Sequence, residues 1–506
     1  MDRTIANNNN LPALLYRAEQ VRELDRIAID QHDISGFTLM RRAAKAAFDV
    51  LLAQYPELGR LIIFCGAGNN GGDGYAMASL ARQRGIDVEL IECGDAAKIS
   101  GDALQAKQHA LQDGVTMIKF SPNLQLEQGV IVDSLLGTGL SGDVRGVAAE
   151  AIAVINCCAL PVLAMDIPSG LCSDTGRVLG SAVSADHTVS FIGLKQGLLT
   201  GSGPDYAGAV HFHDLSVPAT VFQQVANNSE RLVLSELLAR LPKRQASAHK
   251  GHFGHVMVTG GAAGMAGAVA MASQAACRVG AGLVSCATRP EHIAAIVSRC
   301  PEVMAHGVIS GQEIEPLLSS ASVVVVGPGL GQGAWAEQLL QKVAALTVPL
   351  VVDADALNLL AAGRAVKTRQ RDNWILTPHP GEAARLLGCS TAEIQQDRFA
   401  AVTALQQRYG GTVILKGAGT LVADGESDQV ALCTYGNPGM AAGGMGDILT
   451  GVLGALLAQG FSPASAARLG VCLHAVAGDR AAMGGQRGMI ATDLLPHLRT
   501  LMNPTV

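Results

Sequence analysis

Gly436-Asn437-Pro438-Gly439-Met440-Ala441-Ala442-Gly443-Gly444-Met445-Gly446-Asp447-Ile448-Leu449-Thr450-Gly451 lies near the C-terminal end of the chain, and the rest is read outward from it. Five glycines fall between Gly436 and Gly446, one carboxylate follows, and Ile448, Leu449, Val452, Leu453, Leu456 and Leu457 then recur at helical spacing. Glycines let backbone N–H groups wrap an anion, and the start of a helix adds positive potential. A carboxylate beside such a cup repels phosphate. It makes chemical sense at Asp447 if that group takes the proton of a hydroxyl about to meet a phosphoryl group. The plainer reading is a helix-capping Asp after a glycine loop, so the remaining strand ends must decide.

The chain has 506 residues, which predicts two or three domains. A net charge of -6 with interspersed signs and no basic run argues against nucleic acid or an anionic membrane as partner. Eleven cysteines occur without a C-x-x-C pair, and Cys157-Cys158 sit in an apolar stretch. Buried thiols in a reducing cytoplasm are expected. The N-terminus lacks a signal-peptide core, and each apolar run is interrupted before it reaches membrane-spanning length. Residues 1–12 read as a loosely docked tail. Short β-branched runs alternating with Ala/Leu helical patterns predict parallel α/β sheets.

In the first half, Ala18, Val21, Leu24, Ile27 and Ala28, then Leu39, Ala43, Ala46, Ala47 and Val50, mark the inward faces of two helices. The strand Leu61–Cys65 leads into Gly66-Ala67-Gly68-Asn69-Asn70-Gly71-Gly72-Asp73-Gly74, with a helix expected from about Tyr75 to Arg84. Strand, glycine loop and helix in this order are the grammar of a doubly wound nucleotide-binding sheet. A plain dinucleotide loop has no need of Asn69, Asn70 and Asp73, whose oxygens suit a small cation or a polar substrate group. Two further strands end in carboxylates: Val130–Asp133, then Leu136 and Gly137-Thr138-Gly139-Leu140-Ser141-Gly142-Asp143, and Val162–Asp166, then Ile167-Pro168-Ser169-Gly170. Strands at His187–Ile192 and Ala209–His213 complete this sheet, with Lys195 between them.

The set Asn69–Asp73, Asp133 with Gly137–Asp143, and Asp166–Gly170 resembles the NAD(P)H-hydrate epimerase domain over roughly residues 15–215. The resemblance implies a potassium ion held by Asn70, Asp133 and Ser169. It also implies that Asn69, Asn70, Gly71, Gly72, Asp73, the Gly137–Asp143 loop and Asp166 contact the hydrated cofactor. Asp133 or Asp166 moves the proton during ring opening and reclosure; if Asp133 ligates potassium, Asp166 is the better candidate.

Composition turns polar and irregular between Pro218 and Gln245, which places the domains at 1–225 and 226–506. His249, His252 and His255 have a spacing that fits no helical pair of metal ligands, and a glycine-rich lead into a strand is the simpler reading. Strand ends then follow in the order Thr259-Gly260-Gly261, Gly327-Pro328-Gly329-Leu330-Gly331, Asp353-Ala354-Asp355, Thr377-Pro378-His379-Pro380-Gly381-Glu382 and Lys416-Gly417-Ala418-Gly419-Thr420. With Gly443–Asp447, this order is similar to the ribokinase-like superfamily. Within it, the HPGE and GNPGMAxGGxGD forms resemble the ADP- or ATP-dependent NAD(P)H-hydrate dehydratase over about residues 230–500. Two domains follow, each a mainly parallel sheet flanked by helices: Rossmann-like at the N-terminus, ribokinase-like at the C-terminus.

The resemblance implies that Lys416, Gly417, Ala418, Gly419, Thr420 and Gly446 bind nucleotide. Ala268, Gly329, Gly331, His379 and Asp447 would contact hydrated NADH or NADPH. In that reading Asp447 deprotonates the C6 hydroxyl, the oxygen attacks the terminal phosphoryl of ADP, and phosphate leaves. Magnesium would accompany the nucleotide, and the Ala/Gly-rich helices suit a homo-oligomer. Two rivals stand beside this: a vitamin or sugar kinase of the same superfamily, which leaves the first half unexplained, and a dinucleotide sensor without chemistry, which leaves the carboxylates unexplained.

Overall fold

The computed structural model describes residues 11–366 and 370–504, so the tail expected at residues 1–12 lies outside the described residues up to residue 10. The chain divides into two compact units, Met1–Ser229 and Glu230–Val506.

In the first unit, helices α1 (Ala18–His32) and α2 (Gly36–Gln54) precede the sheet and bury the predicted apolar stripes, Val50 only in part. Strands β1 (Arg60–Cys65), β2 (Asp87–Glu92), β3 (Thr116–Lys119), β4 (Val130–Ser134), β5 (Val162–Met165), β6 (His187–Phe191) and β7 (Ala209–His213) lie in the order β3-β2-β1-β4-β5-β6-β7. Every pairing is parallel. The order reverses between β1 and β4, and the crevice outside the carboxyl ends at such a reversal is where these sheets bind ligands. The segments that follow β1 and β4 are the two that carry Asn70 and Gly137.

Three features depart from expectation. Strand β3 is a half-exposed edge strand whose short run, Thr-Met-Ile-Lys, has no strong pattern. Beyond helix α4 (Gly101–Gln112), Cys157 ends the unpredicted helix α5 (Gly146–Cys157) and is exposed rather than buried. Helix α3 spans Asn69–Gln83, so the supposed loop residues Asn69–Gly74 form its first turns. Three glycines in a helix cost about 1 kcal/mol each, and close packing offsets this. A Cβ on Gly71 would sit 2.0 Å from the Gly66 carbonyl oxygen, one on Gly72 2.4 Å from Met40 Cε, and one on Gly74 2.6 Å from Cys65 Sγ. The glycines serve close helix–strand approach as much as the loop.

The second unit contains β8 (His255–Thr259), β9 (Leu283–Thr288), β10 (Met304–Gly307), β11 (Val323–Val326), β12 (Leu350–Val352), β13 (Trp374–Leu376), β14 (Thr412–Leu415), β15 (Thr420–Ala423) and β16 (Val430–Cys433), hydrogen-bonded in the order β16-β15-β14-β13-β12-β11-β8-β9-β10. Strands β8 to β14 pair in parallel, while β15 and β16 fold back antiparallel, a pair not anticipated from sequence. Thr420 therefore heads a strand rather than closing a loop. The reversal here falls between β8 and β11.

Helix α9 (Met445–Ala458) is apolar on all sides and correspondingly buried, with Ile448, Leu449, Val452, Leu453, Leu456 and Leu457 all in the core. Burying six such side chains contributes on the order of 10 kcal/mol, well above the cost of its interior glycines. Those glycines admit neighbours: a Cβ on Gly451 would lie 2.0 Å from the Ala272 carbonyl oxygen of α6 (Ala266–Val279), and one on Gly454 2.6 Å from Val325 Cγ2. Gly451→Ala therefore gains about 1 kcal/mol of helix propensity but overpacks the α6–α9 contact by about 1–3 kcal/mol. The thermal unfolding midpoint is expected to fall, and an unchanged or higher midpoint would contradict this packing argument.

Candidate active sites

In the first unit, α3 starts at its cap Gly68 and carries Asn69 and Asn70 to the end of β4. Asn70 Nδ2 donates to the Leu136 carbonyl at 3.1 Å. Its Oδ1 is buried with no hydrogen-bond partner among the described residues. Asp133 is fully buried. Its Oδ2 accepts from Ser169 N at 2.7 Å, and its Oδ1 accepts from Ser169 Oγ at 2.6 Å and Leu135 N at 3.2 Å. Burial pushes its carboxyl up to about 6 although these donors pull against it. Among the described residues no cation pairs with it. A buried carboxylate without a counter-ion, next to an orphaned amide oxygen and the Ser169 hydroxyl, is a donor set for a hard cation. The Gly137 end of the following loop packs on Asn70 (3.2 Å from a Gly137 Cβ to Asn70 Cβ), whereas Gly139, Ser141, Gly142 and Asp143 stand exposed.

Asp166 follows β5 with φ 66°, a left-handed conformation costly for a residue with a Cβ. Ile167 N closes a tight turn on the Met165 carbonyl at 2.7 Å, and Ile192 makes the matching turn after β6 with φ 59°. These turns aim Asp166 at Phe191 N, 3.3 Å away, and at Lys195, with which it forms an ion pair. Lys195 is 1% exposed and also donates to the Phe191 carbonyl at 2.8 Å. Two more carboxyls share this field. Asp73 is raised well above its usual range by burial, then by Asp166 and Asp25. Asp25, on α1, is pushed up to about 6 by burial, with Asp166 adding to and Lys195 opposing the shift. Sequence reading noted Lys195 only as a loop residue and passed over Asp25, which sits in a helix of ordinary amphipathic pattern. Asp133 with Asn70 and Ser169, and Asp166 with Asp73, are thus two neighbouring groupings rather than one cluster.

In the second unit, Ala268 and Gly329 meet at the β8/β11 reversal: a Cβ on Gly329 would sit 3.1 Å from Ala268 Cβ. Gly331 N donates to Asp355 Oδ2 at 2.8 Å. Further along the strand ends, Lys416 Nζ donates to Asp353 Oδ1 at 2.8 Å, and Thr377 Oγ1 donates to the same oxygen at 2.7 Å. Asp353 is 2% exposed. Although burial pulls Lys416 down, Asp353 and Glu382 hold its ammonium above the ordinary value. Glu382, raised by its own burial, lies 3.9 Å from Lys416 and accepts His379 N at 2.8 Å at the start of α7 (Pro380–Leu387). His379 is half exposed, and burial, followed by Lys416, lowers its imidazole.

The stretch Gly443–Asp447 arrives above this pair. Gly444 caps α9 with φ 88°, so Met445, Gly446 and Asp447 present the unbonded N–H groups of the first turn. A Cβ on Gly446 would stand 3.4 Å from both Asp353 Oδ2 and Lys416 Nζ. Burial, then Asp353, pushes Asp447 up to about 7, with Lys416 opposing. Lys416, Gly446, Asp447 and His379 are therefore brought together around Asp353 and Glu382, two acids that appeared in the sequence only as strand-end punctuation.

Two braces were not legible in the sequence. Arg398, at the start of α8 (Arg398–Tyr409) and 1% exposed, donates to the carbonyls of Leu415, Lys416 and Gly419 at 3.2–3.5 Å. Gly417, φ 142°, passes so close that a Cβ would lie 2.7 Å from Arg398 Nη1. Asp479, on α10 (Pro463–Ala481), accepts from Gly436 N at 3.0 Å and Asn437 Nδ2 at 2.9 Å and anchors the head of the glycine stretch. His249, His252 and His255 do not converge on one point: His249 and His252 stack at 3.7 Å, and His255, at the start of β8, bonds Ser285 and the Ser320 carbonyl.

The family described as YjeF-related protein N-terminus matches residues 36–197, and the NAD(P)H-hydrate dehydratase family matches residues 256–499. The bifunctional NAD(P)H-hydrate repair enzyme Nnr of Coxiella burnetii is 49% identical over 97% of this chain and 100% of its own length. That of Escherichia coli is 43% identical over 100% and 97%. A ribokinase-like superfamily protein of Enterococcus faecalis superposes with a TM-score of 0.50 at 31% identity, covering 54% of this chain and 94% of its own. Apart from Asp25, the site residues of each unit fall within a matched family, and the chain belongs to the bifunctional NAD(P)H-hydrate repair enzymes, an epimerase joined to a dehydratase.

Proposed function

We propose that the second unit dehydrates the S epimer of hydrated NADH or NADPH with ADP as phosphoryl donor, giving AMP and phosphate, with Asp447 as general base. The observation that carries this reading is an acid of raised pKa on the first turn of α9, beside the Lys416–Asp353 pair. Hydroxide is a poor leaving group. The C6 hydroxyl gives its proton to Asp447 and its oxygen attacks the terminal phosphoryl as the bond to the AMP oxygen breaks; phosphate then leaves C6 as a proton is lost from C5, which restores the C5–C6 double bond. The amides of Gly444, Met445 and Gly446 stabilise charge on the transferring group. The segment Lys416–Thr420, braced by Arg398, holds the nucleotide. Asp353 and Glu382 are the carboxylates that fit a magnesium ion arriving with nucleotide phosphates, which need only one or two protein ligands; bound there, it neutralises phosphate charge. The kinase rival fails to account for the first unit, and a sensor without chemistry needs no carboxyl tuned near neutrality.

In the first unit, Asn70, Asp133 and Ser169 hold a potassium ion in this proposal, which leaves Asp166 as the proton-moving carboxylate of epimerisation. Bound there, the ion would supply the positive charge that buried Asp133 lacks. The eleven cysteines, all free, suit work in a reducing cytoplasm. The small-residue helices suit a homo-oligomer.

Mixing the protein with chemically hydrated NADH and either ADP or ATP should restore NADH absorbance, with ADP the better donor; preference for ATP would overturn the donor assignment. Asp447→Asn should fold normally and lose about 10²–10⁴ in kcat, whereas activity within about tenfold of wild type would count against the base. Because Asp447 acts ionised and titrates at about 7, kcat/KM for dehydration should fall about tenfold per pH unit below that value and level off above it. For the first unit, replacing potassium by a large organic cation should lower the thermal midpoint and slow epimerisation; insensitivity of both would remove the ion from Asp133.

A further inference from the structure

We propose that a cavity beside the glycine stretch of the second unit is the subsite for a phosphate group of the hydrated dinucleotide, with Arg299 as the residue that binds it. The proposal rests on the dehydratase reading of this unit and adds a hold on the part of the cofactor that does not react. A dinucleotide carries its phosphates away from the ring that bears the hydroxyl. A site that handles the ring alone leaves the negative charge of the molecule without a partner.

The cavity, of about 230 Å³, lies between Gly267 and Met271 of α6, Arg299, Gly443 and the turn Ile490–Thr492. Its walls join the reacting end at two points. Gly443 stands four residues ahead of Asp447, so the two backbones lie within about 15 Å of each other. Gly267 precedes Ala268, which meets Gly329 at the β8/β11 reversal. The glycine stretch divides this cavity from the donor side. A Cβ on Gly446 would stand 3.4 Å from both Lys416 Nζ and Asp353 Oδ2. One on Gly444 would instead meet Met271 Cε at 2.6 Å and Ala491 Cβ at 3.2 Å. The occupant of the cavity is accordingly the hydrated cofactor, with ADP on the Lys416 side.

Arg299 is the one charged residue of the lining, and no carboxylate shares the cavity with it. Among the described residues its side chain makes no ion pair and no hydrogen bond. Its backbone is nevertheless fixed. Arg299 ends the short helix Ile293–Arg299, and the buried Cys300 closes the last turn through its N–H on the Ile296 carbonyl at 2.8 Å. The Thr492 hydroxyl likewise has no side-chain hydrogen bond among the described residues. Its turn is held by Ile490 N, which donates to Asp493 Oδ2 at 2.9 Å. A guanidinium with free N–H groups, a hydroxyl beside it and no competing acid suit a phosphate oxygen cluster. A neutral or cationic occupant would leave the guanidinium unpaired.

Such a phosphate takes no part in the chemistry and carries the same charge in the ground state and the transition state. Its contact with Arg299 is therefore uniform binding, which lowers KM for the hydrated cofactor and leaves kcat nearly alone. Because Arg299 is open to water, salt screens the contact. Gly267 and Gly443 keep the cavity accessible, since nothing stands within 4 Å of a Cβ on either.

The full-length protein is given ADP with the S epimer of hydrated NADH or of hydrated NADPH, and recovery of reduced-cofactor absorbance is followed. Arg299→Ala should raise KM for the hydrated cofactor about tenfold, with kcat and the KM for ADP unchanged. It should also remove most of the rise in KM that added salt causes in wild type. Arg299→Lys, which keeps the charge, should recover part of the loss, and Gly267→Leu, which sends a side chain into the cavity, should raise the same KM. A rise confined to hydrated NADPH places its 2′-phosphate in the cavity; a rise with both cofactors places the pyrophosphate there. Thermal midpoints establish that each variant folds. Folded Arg299→Ala that leaves KM unchanged for both hydrated cofactors, or raises KM for ADP instead, overturns the proposal. A wild-type protein that restores no absorbance with either ADP or ATP would instead overturn the dehydratase reading beneath it.

Discussion

One lysine held by one aspartate at the carboxyl ends of parallel strands sets the electrostatics of each unit. In the first it is Lys195 with Asp166; in the second, Lys416 with Asp353. Asp353 and Lys195 are buried while Asp166 is partly exposed, and each pair sits where the chain leaves a buried strand. Removing one partner of such a pair costs about 3–5 kcal/mol, because the other charge is left stranded. With the single cation committed, every further acid nearby is desolvated without full compensation. Asp73 and Asp25 in one unit, and Asp447 and Glu382 in the other, are all raised for this reason. Acids whose pKa is raised toward neutrality, as that of Asp447 is to about 7, are suited to proton transfer at cellular pH.

Holding these groups in place requires backbone that most side chains would forbid. Asp166 and Ile192 adopt positive φ beside the first pair, and Ala354, φ 48°, does so immediately after Asp353. Such strain persists only where surrounding structure over-determines it. The restraint comes from turns closed by backbone hydrogen bonds and, in the second unit, from the braces of Arg398 and Asp479. The glycines act alongside them, letting α3 and α9 lie against strands and neighbouring helices closely enough to set their first turns over the sites.

Much of the architecture was legible in the sequence. The strand ends at Asp133, Asp166, Asp353, Thr377 and Lys416, and the order in which their motifs occur, reveal two doubly wound sheets and the side on which ligands bind. The antiparallel strands β15 and β16 and the edge strand β3 escaped because their stabilisation is the pairing itself, not a pattern of their own. The start of α3 was misplaced because its glycines argue for a loop by propensity, whereas the packing of Gly71, Gly72 and Gly74 decides for helix.

The sequence by itself determined the two-sheet organisation, the glycine stretch ending in Asp447 and the family to which the chain belongs. These depend on local spacing and on motifs contiguous along the chain. Only the tertiary structure decided which carboxyls share a field. Asp25 and Asp73 are far apart in sequence, as are Asp353 and Asp447, and desolvation belongs to a place in the fold rather than to a residue type. The same holds for Asn70, whose orphaned oxygen becomes a ligand candidate only once β4 brings Asp133 and Ser169 beside it.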